Sequence, residues 1–112
     1  AAKKIKEPFW KTEWNFKMRI GKNIVNGIMD LIFKNEDGTY TLVDYKTNKT
    51  INPEYFFYQQ SLYKIAAANM IGINSSKIQC ILYYLSFEQS VDITKYSKQS
   101  IDESIFEELK NL

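Results

Sequence analysis

Residues 26–49, NGIMDLIFKNEDGTYTLVDYKTNK, constrain the fold of this chain more than any other segment. Two β-prone runs, residues 31–33 and 40–43, flank the tripeptide Glu36-Asp37-Gly38. A three-residue hairpin loop favours glycine in its last position, where the backbone is left-handed, and Gly38 occupies that position. The segment therefore predicts an antiparallel β-hairpin.

This loop fixes which residues of the two strands face each other. Asn35 is expected to pair with Thr39, which places Asp30 opposite Asp44, give or take one residue for a bulge. Asp44 and Lys46 share a face because side chains alternate along a strand. We therefore expect Asp30, Asp44 and Lys46 to converge on one spot.

Two carboxylates that face each other across a β-ladder repel, at a cost of up to about 1 kcal/mol relative to a neutral pair. Three apolar neighbours are expected to exclude water and raise that cost: Ile28, Ile32 and Leu42. A divalent cation between the carboxylates would relieve the repulsion, and hard oxygen ligands suit Mg²⁺ or Mn²⁺. The alternative is a solvated strand end at which Lys46 alone neutralises the acids.

Composition excludes several classes of function. The net charge of the 112 residues is only +2, so any contact with DNA must come from a local basic patch. One cysteine, Cys80, and no histidine exclude a disulfide framework, a Cys/His zinc site and Ser-His catalysis within this chain. No apolar run could span a membrane and no signal peptide is visible, so the cytoplasm is the expected location.

The rest of the sequence predicts an α/β (α+β) domain in the order βββαβ(β)α. Apolar and polar residues alternate over residues 12–20, which indicates a half-buried strand, and residues 24–33 form the next one. Asn52-Pro53-Glu54 begins a helix that ends near Gly72. Its predicted buried stripe consists of Phe56, Leu62, Ile65, Ala66 and Met70.

The C-terminal third supplies the remaining elements. Residues 77–87 are nearly all apolar, which predicts a strand buried on both faces and parallel to the strand of Asp44. Cys80 is expected to be buried in it. A short edge strand over residues 91–94 follows, and a capping box at residues 100–103 predicts a last helix.

Three motifs in this order resemble a known family: G-I-M-D at residues 27–30, D-Y-K-T at 44–47, and Gln59-Gln60-Ser61-Leu62-Tyr63. Together they are similar to the RecB-type branch of the PD-(D/E)XK nucleases, especially the C-terminal nuclease domain of AddA/RexA helicase–nuclease subunits. The resemblance covers residues 7–85. It implies a restriction-endonuclease-like core, with a mixed sheet of four to five strands, and an Mg²⁺-dependent DNA exonuclease that acts in double-strand-break repair and recombination.

The resemblance also implies residue roles. Asp30 and Asp44 would hold the metal together with the backbone carbonyl of Tyr45, while Lys46 would stabilise negative charge that develops on the phosphate. Gln59 and Tyr63 lie on one helix face and would position Lys46 or the DNA backbone. The alternative for this last pair is that Tyr63 belongs to the core and Gln59 lies on the helix surface.

Residues 1–112 are thus expected to form a single nuclease domain. The resemblance implies a longer chain with a helicase domain and a partner subunit, and nothing before Pro8 matches the acid-bearing helix that precedes the first strand in related nucleases. A non-catalytic DNA-binding or scaffolding module with the same fold is the competing interpretation. A small-molecule phosphohydrolase is disfavoured because the sequence has no Gly-rich phosphate loop.

Overall fold

The computed structural model describes residues 9–97, which form a five-stranded mixed sheet and one α-helix. The strands lie side by side in chain order, with β3 and β4 parallel and the other neighbours antiparallel. The elements are β1 (Trp10–Ile20), β2 (Asn23–Lys34), β3 (Tyr40–Lys46), α1 (Phe57–Ile71), β4 (Ile78–Tyr84) and β5 (Gln89–Asp92). This confirms the general α/β class and the predicted order up to the second strand after the helix. The predicted last helix lies outside the described residues.

The β2–β3 hairpin has the predicted register. Leu31 pairs with Val43, and the Asn35 N–H donates to the Thr39 carbonyl at 2.7 Å. Gly38 has a φ of +89°, the left-handed conformation that its position in the loop requires. The loop is closed by Asp37, whose carboxylate accepts hydrogen bonds from the Thr39 N–H at 2.9 Å and the Thr39 hydroxyl at 2.6 Å. These two bonds lower the pKa of Asp37.

Close packing between β1, β2 and α1 sets the distance of the helix from the sheet. Phe16 is buried on β1, and its ring meets that of Tyr63 on α1 edge to face, with centroids 5.3 Å apart. A Cβ atom at Gly27 would lie only 2.4 Å from the Phe16 ring. Gly27 is therefore the residue that lets the Phe16 side chain lie flat across β2 beneath Tyr63.

Helix α1 ends where the sequence predicts but begins later. Gly72 is left-handed at φ +83°, and its N–H donates to the Ala68 carbonyl at 2.8 Å, which closes the C-terminus. At the other end Pro53–Phe56 is a 3₁₀ turn, and the Asn52 side chain does not cap it. The α-helical geometry starts only at Phe57.

The predicted buried stripe of α1 is only partly right. Leu62 and Ala66 are buried, but Met70 is 40% exposed. Ala67 and Ala68 are buried as well, and three consecutive buried residues mean that the helix is covered over more than half of its circumference. Two polar side chains also lie inside, Gln60 and Lys64.

Strand β4 is fully buried on one face only, so the prediction of two buried faces is wrong. The face that packs toward α1 carries Ile78, Cys80, Leu82 and Tyr84, each 0% exposed. On the opposite face Gln79 is exposed and the next two side chains are half-buried. The reason is that α1 is the only α-helix within residues 9–97. No helix in this part of the chain is both long enough and apolar enough to cross a membrane.

Candidate active site

The β2–β3 ladder stops at the pair of opposed acids. Leu31 and Val43 are the last paired residues, and Asp30 and Asp44 follow them on the two strands. Beyond that point the Asp30 carboxylate takes the place of a backbone acceptor, because its Oδ2 accepts the Tyr45 N–H at 2.8 Å. The Asp30 side chain therefore lies against β3, beside Asp44.

Asp44 is the buried member of the pair, with 8% of its surface exposed. One of its oxygens, Oδ2, accepts hydrogen bonds from Lys46 Nζ at 2.8 Å and from Gln60 Nε2 at 2.6 Å. Within residues 9–97 no hydrogen bond from a side-chain nitrogen to the other oxygen, Oδ1, is found, and the Asp30 carboxyl lies within hydrogen-bonding reach of the same carboxylate. Asp44 is thus fixed through one oxygen, with the second acid beside it.

The pKa of Asp44 is raised from 3.8 to about 6. Burial is the main cause, the nearby Asp30 carboxyl adds to it, and Lys46 opposes both effects. Asp44 therefore holds a proton more readily in the metal-free protein than an exposed carboxyl group does. A bound divalent cation would replace that proton and allow both carboxylates to remain ionised.

Lys46 is held by three groups at once. Its Nζ forms an ion pair with Asp44 and donates a hydrogen bond to Gln59 Oε1 at 3.3 Å. It also lies 3.8 Å from the centroid of the Phe56 ring, a cation–π contact. With only 13% of its side chain exposed, the ammonium is a fixed positive charge beside the acids.

Gln59 and Tyr63 extend this arrangement along α1. Gln59 Nε2 points to the Tyr63 hydroxyl at 3.5 Å, the outer limit of a hydrogen bond. Burial raises the pKa of Tyr63, and the negative charges of Asp44 and Asp30 add to that effect, so the phenol stays protonated at neutral pH. The Tyr63 ring also packs on Phe16, so this residue is part of the core and of the site at the same time.

The backbone of Tyr45 is oriented toward the same place. The N–H and C=O groups of one strand residue point to the same edge of the strand, and the Tyr45 N–H is bonded to Asp30. The Tyr45 carbonyl, predicted as a third ligand, is therefore directed to the β2 side of β3. The structure brings all five predicted side chains and this carbonyl into one region.

Gln60 is the site residue that the sequence analysis did not assign. It is completely buried and donates to Asp44, yet its Oε1 has no hydrogen-bond partner among residues 9–97. Its position directly after Gln59 and four residues before the buried Lys64 was the available signal.

Ile28 was expected to exclude water from the acids, but it is 53% exposed and does not do so, because water is excluded mainly by α1.

The residues present fit a hard divalent cation. Two carboxylates and a carbonyl converge, and such oxygen ligands suit Mg²⁺ or Mn²⁺ with water in the remaining positions. Within residues 9–97 no group of three or more His, Cys, Asp or Glu side chains could hold a metal ion. The described part of the chain thus offers two acidic ligands.

Comparison of the sequence with profiles of known protein families finds no match, and comparison with curated proteins finds none either.

Proposed function

We propose that this chain is a metal-dependent DNA nuclease domain, an exonuclease of the RecB-type branch of the PD-(D/E)XK nucleases. The observation that carries the proposal is the convergence of Asp30, Asp44 and the fixed ammonium of Lys46 at the end of the β2–β3 ladder. A structural ion pair needs one acid for one lysine. The second acid, which raises the pKa of the first, is explained by a cation that binds between them.

Hydrolysis of a phosphodiester requires an activated water, a neutralised phosphate and a stabilised transition state. A bound Mg²⁺ ion would supply a water of lowered pKa and polarise the phosphate. The protein contributes the two carboxylates that hold the ion and the Lys46 ammonium, which stabilises negative charge on the phosphate as it develops. Because Asp44, Gln59 and the Phe56 ring all contact Lys46, this charge is in place before the substrate binds.

The proposal includes the finer description of the fold and the setting of the domain. A mixed sheet in which a helix connects the parallel strands β3 and β4 is compatible with a restriction-endonuclease-like core. DNA is the proposed substrate. A helicase domain in the same chain, a partner subunit, a role in double-strand-break repair and a cytoplasmic location follow from the family resemblance.

The proposal is tested by incubating end-labelled DNA with the protein and Mg²⁺ or Mn²⁺. Asp44→Asn keeps the shape of the side chain but removes its charge, and we expect it to lower the cleavage rate at least about 100-fold. Asp37→Asn, which removes a carboxylate from the far end of the same hairpin, is the matched control and should cut like the unmodified protein. Undiminished, metal-dependent cleavage by folded Asp44→Asn would refute the assignment.

A second candidate is a non-catalytic DNA-binding or scaffolding module. The 2.8 Å ion pair between Lys46 and Asp44 favours it, because the ammonium already neutralises one of the acids. Calorimetric titration with Mn²⁺ distinguishes the two candidates. A nuclease site should give a heat of binding, of either sign, that Asp44→Asn abolishes, whereas the module should give no heat and no thermal stabilisation.

A further inference from the structure

A cavity of about 400 Å³ opens beside the candidate active site, between the start of α1 and strand β2. It is lined by Tyr55, Phe56, Gln59, Leu62 and Tyr63, together with Val25 of β2. Its rim includes Asn26, which is exposed. This volume lies in the range of pockets that bind small organic groups.

The cavity and the site share side chains. Phe56 and Gln59 line the cavity, and both contact Lys46, through the ring at 3.8 Å and through Oε1 at 3.3 Å. The Lys46 ammonium and the cavity are therefore separated by a single layer of side chains. A ligand that places a phosphate near Lys46 can place its next chemical group in the cavity.

The chemistry of the lining selects an uncharged aromatic group. None of the residues that line the cavity carries a charge at neutral pH, so it has little to offer a second phosphate or an ionised peptide side chain. The Tyr55 ring is 53% exposed and presents a surface for stacking. The Asn26 amide at the rim supplies one donor group and one acceptor for the polar edge of a planar heterocycle.

We propose that this cavity, the base pocket, binds one nucleobase of the nucleotide whose phosphate meets Lys46. The inference rests on the proposed nuclease function and adds a subsite to it. A base that stacks on Tyr55 must leave its neighbours in the strand and its pairing partner. The DNA is therefore unpaired at the nucleotide that is cut.

Binding of short single-stranded DNA, measured in Ca²⁺ so that the acids are neutralised but Mg²⁺-dependent cleavage does not occur, tests the base pocket directly. A dye-labelled hexathymidylate is compared with versions in which a single base is removed at each position in turn. Stacking on an aromatic side chain contributes enough that we expect roughly a 5- to 100-fold weaker Kd for the abasic version that aligns with the pocket. The other abasic versions should lose much less.

Three variants make the test specific. Tyr55→Leu removes the stacking surface and should weaken binding of the intact oligonucleotide by the same factor, with no further loss for any abasic version. Tyr55→Phe keeps the ring and should behave like the unmodified protein. Tyr96→Leu is the matched control, because this tyrosine is 51% exposed and does not line the pocket, and it should leave binding unchanged.

Equal affinity of the unmodified protein for all abasic versions would overturn the base pocket. So would an unchanged abasic penalty in Tyr55→Leu, failure of the oligonucleotide to bind, or a dimer in solution that Tyr55→Leu dissociates. Cleavage assayed in parallel separates this inference from the proposed function. Cleavage without any base effect refutes the pocket alone, and a base effect without metal-dependent cleavage refutes the nuclease and leaves a binding site for unpaired DNA.

Discussion

Replacing Asp44 by asparagine is predicted to stabilise the metal-free protein at alkaline pH. The pKa of Asp44 is about 6 in the folded protein against an ordinary value of 3.8, because the carboxylate is buried and lies beside Asp30. A raised pKa means that the protonated form is favoured in the folded state. Protonated Asp44 therefore contributes its full stabilisation of the folded state below pH 3.8, and this stabilisation is lost as the pH rises through about 6.

The size of the effect follows from the same two values. The difference between a pKa of 3.8 and one of about 6 corresponds to about 3 kcal/mol of folding free energy lost at pH 8. The asparagine still accepts a hydrogen bond but leaves Lys46 without its counter-charge, which offsets part of the gain. We expect a net stabilisation of about 1 kcal/mol, or about 4–8 °C in Tm, at pH 8 and none at pH 4.

The assay is thermal unfolding followed by circular dichroism in EDTA, at pH values from 4 to 8.5. Asp37→Asn is the control for removing one negative charge, because hydrogen bonds from Thr39 lower the pKa of Asp37 and favour its ionised form in the fold. It should show no gain at alkaline pH. An Asp44→Asn protein that is less stable than the unmodified protein at pH 8, or equally shifted at all pH values, would refute the reasoning.

Three further predictions concern packing, metal affinity and reactivity. Gly27→Ala should destabilise the fold by about 1–3 kcal/mol in urea denaturation, because the added methyl group would lie 2.4 Å from the Phe16 ring. Gln60→Leu removes the 2.6 Å bond to Asp44 and should weaken Mn²⁺ binding by about 10- to 100-fold in calorimetry, with Tyr96→Leu unaffected. Cys80, whose pKa burial raises to about 11, should resist a thiol reagent at pH 8 until the protein is unfolded in urea.

The hairpin was predictable because local chemistry determines it. A loop that ends in left-handed Gly38 favours the register observed, which places Asp30 across from Asp44, although a shift of one residue for a bulge was also open. The end of α1 at Gly72 was predictable for the same reason. The parallel return of β4 was predictable because a helix between two strands of one sheet carries the chain back, so that the second strand runs in the direction of the first.

What could not be predicted depends on long-range packing. Apolar periodicity assigns polar residues to the outside of a helix, so it missed Gln60 and Lys64, which reach the interior because small alanines bring α1 close to the sheet. The partial exposure of one face of β4 depends on what covers the far side of the sheet, which the strand's own sequence does not encode. The raised pKa of Asp44 likewise results first from burial, which needs the packed helix, and only second from the neighbouring Asp30.

A crystal structure of the protein soaked in Mn²⁺ tests the central claim most directly, through the anomalous scattering of the metal. We predict a peak about 2 Å from a carboxylate oxygen of both Asp30 and Asp44, with Oδ1 of Asp44 among the ligands and Lys46 still bonded to Oδ2. Saturating Mn²⁺ that leaves no peak between these two acids, with Asp44 held only by Lys46 and Gln60, would contradict a metal-dependent nuclease.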